Sequence, residues 1–308
     1  MCGPSSAIPT TAAANIPLLN AGLRLAWLRA LGAVGIKNFV TTSGLGRRFV
    51  CHLGDLAEYP FYDRRAYQNE LVLCAAWLRE ENKPVVYDIG ANVGFFSTQL
   101  AQMLASRSPT IYAFEPVPTT FAKLVQSVWR LDLNDRVHPI AAAVIDDPRP
   151  VRISYSNRNS LYAQVTQQGL NPRVGDRLAY VASVTLDGFY SSVGDLPALL
   201  KIDVEGSEIA VLRGAQRLLS RRDRPALILE HNPVTLSECG VAAHSFHELL
   251  SGYALYYVDD LEGQKMPLGS PLASLAQIHW ICNLFAVPVV EGSSARWASA
   301  LKYALRQL

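Results

Sequence analysis

Apolar positions follow two different periods along this chain, and the switches between them mark out its elements. The run Val85-Val86-Tyr87-Asp88-Ile89 is nearly continuous and rich in β-branched residues. It stops at two spaced glycines, after which Phe96, Leu100, Met103 and Leu104 recur at helical spacing. That is the signature of a strand, a tight turn and a helix. The succession repeats with Thr110 to Glu115 before Phe121, Leu124, Val125 and Val128, and again with Leu199 to Asp203 before Ile209, Leu212, Ala215 and Leu219. Val137 to Ile145 reads as a further core strand stopped by Asp146-Asp147-Pro148, and Ala226 to Glu230 as the fifth. Val151 to Tyr155 and Val181 to Leu186 read as an inserted β pair around a polar loop, while Leu255 to Val258 and Gln277 to Val289 supply two final strands. Strands alternating with helices imply right-handed crossovers and a mostly parallel sheet covered on both faces.

The segments before this core follow neither period so cleanly. Residues 1–15 hold turn formers without an apolar pattern and are expected to be a disordered tail. From Ile16 to Phe39 the pattern predicts a helix that is apolar on most sides around Trp27. Such a helix either packs on the domain or serves as a dimer or membrane-surface contact. The short strand Arg48 to His52, the aromatic run Tyr59 to Tyr62 and a helix from Tyr67 through Trp77 form a collar ahead of the core. The expected organisation is a tail over 1–15, a helix and collar over 16–66, and one α/β domain over 67–308.

Composition narrows the partners. The charges nearly cancel, at +2 over 308 residues, so the basic footprint of nucleic-acid binders is missing. The five cysteines are scattered without CxxC spacing, which fits a reducing cytoplasm better than a disulfide framework. Arg24 and Arg29 interrupt the longest N-terminal apolar stretch, so no transmembrane span is expected.

Ligands of such sheets bind outside the carboxyl ends of the strands, and the core strands end there in acids: Asp88, Glu115, Asp146, Asp203 and Glu230. Glu115 ends the second strand, where a carboxylate can accept both hydrogen bonds of a ribose diol. Gly90-Ala91-Asn92-Val93-Gly94 is G-x-x-x-G, unlike the G-x-G-x-x-G that brings a helix N-terminus onto a pyrophosphate. A nucleoside with an amino-acid tail therefore fits this turn better than a dinucleotide.

Val86 to Gly94, then Phe114-Glu115-Pro116, Thr185-Leu186-Asp187, Leu200 to Glu208 with Leu212-Arg213-Gly214-Ala215, and Glu230 resemble the FkbM-type S-adenosylmethionine-dependent methyltransferases. The resemblance implies a class I methyltransferase (Rossmann-like) fold, with a seven-stranded, mostly parallel sheet whose last strand is antiparallel. It implies S-adenosylmethionine as cofactor and a hydroxyl on a small molecule, sugar or glycan as acceptor. It also implies that Asp88, Gly90, Asn92 and Gly94 line the methionine part, that Glu115 holds the ribose and that Asp146 lies near the adenine. The loop around Asn157, Asn159 and Ser160 matches only in part the serine-rich turn of the family, to which the resemblance assigns the acceptor.

Methyl transfer to an alcohol requires a positioned oxygen and a route for its proton, for which Asp203, Glu205 and His231 are the candidates. Asp203 and Glu205 could instead organise the turn and cap the helix that follows. No compact ligand motif marks a metal site, although Asp203, Glu205, Glu230 and His231 would be the residues to converge on one. Lys201, inside an apolar strand, is expected to pair with a strand-end carboxylate. The competing functions are a nicotinamide-dependent oxidoreductase on a Rossmann sheet and a non-catalytic nucleoside-binding scaffold, the latter with the N-terminal helix as its working surface; a homodimer through that helix is the partner expected beside the acceptor.

Overall fold

The computed structural model describes residues 30–53, 67–156, 163–165, 177–238, 248–260, 264–275 and 278–308. The expected tail, residues 16–29 of the N-terminal helix, the run Tyr59 to Tyr62 and the loop at Asn157, Asn159 and Ser160 lie outside the described residues.

Residues 30–33 are helical and lead into a hairpin of β1 (Asn38–Thr42) and β2 (Arg48–His52). The hairpin corrects the helix expected as far as Phe39, because Phe39, Val40, Thr41 and Thr42 are β-formers that pair residue by residue with the strand at Arg48 to Cys51. Then follow α1 (Gln68–Leu78), β3 (Val85–Ile89), α2 (Phe95–Met103), β4 (Thr110–Phe114), α3 (Pro118–Arg130) and β5 (Val137–Ile140). A side unit comprises β6 (Ala143–Val144), β7 (Val151–Tyr155), β8 (Ala163–Val165), β9 (Arg177–Val181) and β10 (Ser183–Val184). The chain returns through α4 (Leu186–Val193), β11 (Leu199–Ile202), α5 (Glu208–Arg213), α6 (Gln216–Leu219), β12 (Ala226–His231) and α7 (Pro233–Glu238). It closes with β13 (Tyr253–Asp260), β14 (Pro271–Leu272), β15 (Cys282–Pro288) and α8 (Ser293–Ala304).

The main sheet runs β5-β4-β3-β11-β12-β15-β13-β14. Neighbours from β5 to β12 are parallel, and β15 is antiparallel to both β12 and β13. Seven of these strands make the class I methyltransferase sheet; the eighth is the two-residue edge strand β14. Alternate residues feed two cores. Val86, Leu199 and Ile228 pack toward α1, α2 and α8, while Tyr87, Leu200 and Leu229 pack toward α5 and α6.

The expected third strand is shorter than its apolar run. β5 is an edge strand containing Pro139, which removes a ladder donor, and it ends at Ile140. The chain then leaves the sheet, and β6 pairs with β10 instead. Asp146 therefore does not end a strand of the main sheet. The inserted β pair exists as β7 with β9, in register Val151↔Val181, joined by β8; Leu186 already belongs to α4.

The strand order reverses between β3 and β11, because β4 and β5 build outward on one side and β12 on the other. Splayed connections leave a crevice at that point, outside the carboxyl ends of both strands.

Candidate active site

The turn after β3 is shaped by what passes over it. Gly90 and Gly94 adopt φ of 81° and 84°, conformations open to glycine at no steric cost. A Cβ at Gly90 would stand 1.8 Å from the Asp203 carbonyl oxygen, so this position accepts no side chain while the two strand ends stay this close. Asn92 adopts φ 51°, and its buried Oδ1 has no hydrogen-bond partner. Glu115, just beyond β4, braces the turn: Oε2 accepts the Asn92 amide at 3.0 Å and Oε1 the Val117 amide at 2.9 Å. Burial nonetheless pushes its carboxyl up to about 7, against the lowering effect of those two bonds.

These residues face a cleft that is partly open to solvent. Gly90, Asn92, Glu115, Asp203, Glu205 and Tyr67 line it, with Ile89, Phe114, Val144 and Ile153 among its apolar members. Among the described lining residues there is no Arg, Lys or His. The wall is apolar with convergent acids, as a cationic nucleoside ligand would require.

Asp88 lies beneath the turn, fully buried, taking the Ser97 hydroxyl on Oδ2 at 2.6 Å and facing Lys201 Nζ with Oδ1 at 3.4 Å. Lys201 sits in β11 directly beside Asp88 in the parallel register. Its ammonium also reaches Asp203 Oδ2 at 3.2 Å and the Gly90 carbonyl at 3.5 Å. Burial alone would lower its pKa, but the carboxylates of Asp203, Asp88 and Glu70 hold it above the usual lysine range. Tyr67 donates to the same Asp203 oxygen at 3.4 Å.

The loop after β11 separates the roles of its acids. Glu205 has φ 51° and Gly206 φ 97°, and Glu208 Oε1 accepts the Gly206 amide at 3.0 Å. Glu208 therefore organises this turn, and the Ser207 side chain makes no cap bond to α5. Asp203 and Glu205 are left lining the cleft. Burial, then the neighbouring Asp203 and Glu230 charges, push Glu205 up to about 9; burial and Asp203 push Glu230 up to about 8.

Two expected site residues stand elsewhere. Asp146 is exposed and outside the cleft, where Ala142, Ala143 and Val144 form the wall instead. Its displacement follows from the early end of β5. His231 is 1 % exposed within β12, its Nε2 donating at 3.4 Å to the Ile278 carbonyl, and burial lowers its pKa. Neither it nor its neighbour Glu230 lines the cleft. Gly94 also lies outside the lining; a Cβ there would meet Leu124 Cδ1 at 2.5 Å, so this glycine serves the packing of α2 on α3. Tyr67, at the end of the collar and the start of α1, also lines the cleft. Among the described residues, no group of three or more His, Cys, Asp or Glu is arranged to hold a metal ion. No helix among them is long and apolar enough to cross a membrane.

The Methyltransferase FkbM domain matches residues 88–254, more than half of the chain. The chain belongs to the FkbM methyltransferase family. Its cofactor is S-adenosylmethionine, and the nicotinamide reading falls away with that membership. One relative, 31-O-demethyl-FK506 methyltransferase FkbM of Streptomyces tacrolimicus, is 30% identical over 164 residues, covering 43% of this chain and 59% of the relative. Hexuronic acid methyltransferase AglP of Haloferax volcanii is 24% identical over 193 residues, covering 61% of this chain and 72% of that protein. Among solved structures, the methyltransferase FkbM of Methylobacillus flagellatus is similar at a TM-score of 0.43 and 16% identity, over 67% of this chain and 43% of that one. M. jannaschii TYW2 in complex with AdoMet is similar at a TM-score of 0.37 and 13% identity, over 81% and 85%.

The cleft fits the family's cofactor on its own chemistry. The acidic lining suits a sulfonium and an ammonium group, and the partnerless Asn92 Oδ1 is an acceptor facing a need for a donor. Each Glu115 oxygen, having taken one amide, keeps a lone pair for a hydroxyl.

Proposed function

We propose that this protein is an O-methyltransferase acting on a hydroxyl of a small molecule or sugar. The observation that carries this reading is the meeting of Asp203 and Glu205 with the Gly90 turn and Glu115 in one cleft at the reversal of strand order. The names of the two relatives support this reading in part: the 31-O-demethyl-FK506 methyltransferase points to an oxygen acceptor, and the hexuronic acid methyltransferase to a sugar acid as the acceptor class.

In this reading Asn92 and the Gly90 turn would receive the amino-acid end of the cofactor, with Asp88 beneath the turn keeping its shape. Glu115 would take the ribose hydroxyls, and Ala142 to Val144 with Ile153 would flank the base. When bound, S-adenosylmethionine supplies a methyl group on a positively charged sulfur, which an acceptor oxygen displaces in line. The chain's task is then to hold that oxygen and take its proton. Asp203 is suited to the proton: one oxygen is fixed by Lys201 and Tyr67, and the side chain remains a quarter exposed toward the cleft. Glu205, kept neutral by burial near pH 7, can hydrogen-bond the acceptor hydroxyl.

Titration calorimetry with S-adenosylmethionine and its demethylated product tests the cofactor half; no heat at high micromolar ligand would overturn it. For the acceptor half, product from hydroxylated small molecules and sugars is followed by mass spectrometry. Asp203→Asn is expected to lower kcat by about 10²-fold or more, the scale of a lost general base, with cofactor affinity changed far less. An Asp203→Asn enzyme as fast as the parent would remove Asp203 from the chemistry.

A further inference from the structure

Lys201 is the one cation inside the described acid cluster, and it stands between two parts of the site that have different tasks. On one side is Asp88, under the turn that would receive the cofactor; on the other is Asp203, on the cleft wall. Ser97, Asp88, Lys201, Asp203 and Tyr67 form one chain of polar contacts between 2.6 and 3.4 Å. The lysine is 5 % exposed and lies in a central strand whose other residues are apolar, with the Phe96 ring 5.5 Å from its ammonium. A buried ammonium costs several kcal/mol to desolvate, so a structural role alone would be met more cheaply by an apolar residue.

We propose that Lys201 is a positioning residue for methyl transfer: its ammonium holds one Asp203 oxygen, leaving the side chain directed to the cleft, and ties that acid to the turn that binds the cofactor. The inference rests on the cleft being the methyl-transfer site. Without the lysine, Asp88 and Asp203 would be left as two nearby carboxyls with no cation between them, and like charges so placed retain a proton more readily than either alone. Other titratable groups surround the same point: Glu70, Tyr67 and Cys74 on α1 or at its start, Glu205 and Glu208 in the following loop and helix, Glu230 on β12, and Asp259 on β13, which shares the Asn283 amide with Glu70. These are common to every variant below, so comparisons among the variants isolate the Asp88–Lys201–Asp203 contact.

The test is thermal unfolding of the full chain across pH 5 to 8 for wild type, Lys201→Met, Lys201→Arg and the double variant Lys201→Met/Asp203→Asn. The methionine variant is expected to lose stability relative to wild type as pH rises, because its folded form retains a proton that the unfolded chain releases. The arginine variant and the double variant are expected to run parallel to wild type, the first by keeping the charge and the second by removing the excess carboxyl. In a second arm, cofactor affinity by calorimetry is expected to rise more steeply with pH for Lys201→Met than for wild type between pH 6 and 8, by up to about tenfold per pH unit, the slope of one linked proton.

Parallel pH profiles for Lys201→Met and wild type would overturn the proposal, as would an excess pH dependence that survives Asp203→Asn. If Lys201→Met does not fold, folding regained in the double variant supports the proposal. Both variants unfolded would assign the lysine to Asp88 alone and overturn it. Absence of cofactor binding by the wild type would instead remove the methyl-transfer reading, while the stability series would still report on the lysine and Asp203.

Discussion

Individual residues at this site are constrained by backbone approach as much as by charge. Gly90 is the clearest case: with a positive φ and the Asp203 carbonyl where its Cβ would be, Gly90→Ala must separate β3 from β11 at the reversal point. The expected outcome is a loss of more than about 2 kcal/mol of stability and of cofactor binding together, read by denaturant unfolding and calorimetry. Glu115 is a milder case, since its two amide bonds brace the turn while its lone pairs face the cleft. Glu115→Ala is expected to weaken S-adenosylmethionine by about 10- to 100-fold, the scale of one or two charge-assisted bonds. Unchanged affinity would show that no ribose sits there. Both residues were legible from sequence because glycine and a strand-end acid are local signals. The burial of His231 was not, since it depends on what a distant strand or loop brings alongside.

At the level of elements, the motif blocks divide into those that hold the site and those that hold the scaffold. Thr185-Leu186-Asp187 belongs to the scaffold: Thr185 accepts the Gly188 amide at the start of α4, and Asp187 accepts the Arg217 and Leu218 amides that begin α6. The Asp187 amide in turn donates to the Gly214 carbonyl, locking the two blocks together. Asp187→Ala is therefore expected to cost about 1–2 kcal/mol, the value of a lost helix cap, with cofactor affinity unchanged. A large loss of affinity in a folded variant would move this residue into the site. On the other face, α8 closes the sheet through Trp297, stacked at 4.3 Å on Tyr256 and 5.1 Å on Phe285. Trp297→Ala is expected to cost about 3–5 kcal/mol in chemical denaturation, as a large buried aromatic leaves a cavity. Long periodic elements such as β3 and α3 could be read directly from the chain. The end of β5 could not, because an apolar run does not say which of its residues will find a pairing partner.

For the molecule as a whole, burial pushes up carboxyls in and beside the cleft: Glu115 to about 7 and Glu205 to about 9 in its lining, and Glu230, outside the lining, to about 8. Their folded pKa values lie above the unfolded value of 4.5, so the folded chain holds protons that the unfolded chain releases. These groups favour the folded state on the acid side, and that contribution is lost as pH rises from about 5 to about 9. Stability of the free protein is expected to decline over that window by a few kcal/mol in thermal or denaturant unfolding. Saturating S-adenosylmethionine should flatten the decline, because a cation beside these carboxyls lowers their pKa values. A free protein whose stability rises steadily to pH 9 would contradict the burial of these acids.

The sequence alone determined the α/β alternation, the turn at Gly90, the acids Asp88, Glu115 and Asp203 and the family, because strand periodicity, glycine turns and motif spacing are local properties of a chain. Tertiary structure alone decided that Asp146 and His231 stay out of the cleft, that Glu208 rather than Asp203 or Glu205 organises the loop, and that Lys201 stands between Asp88 and Asp203. Those outcomes depend on which strands become neighbours and where each one stops. Such pairings join residues far apart in the chain, and no local pattern encodes them.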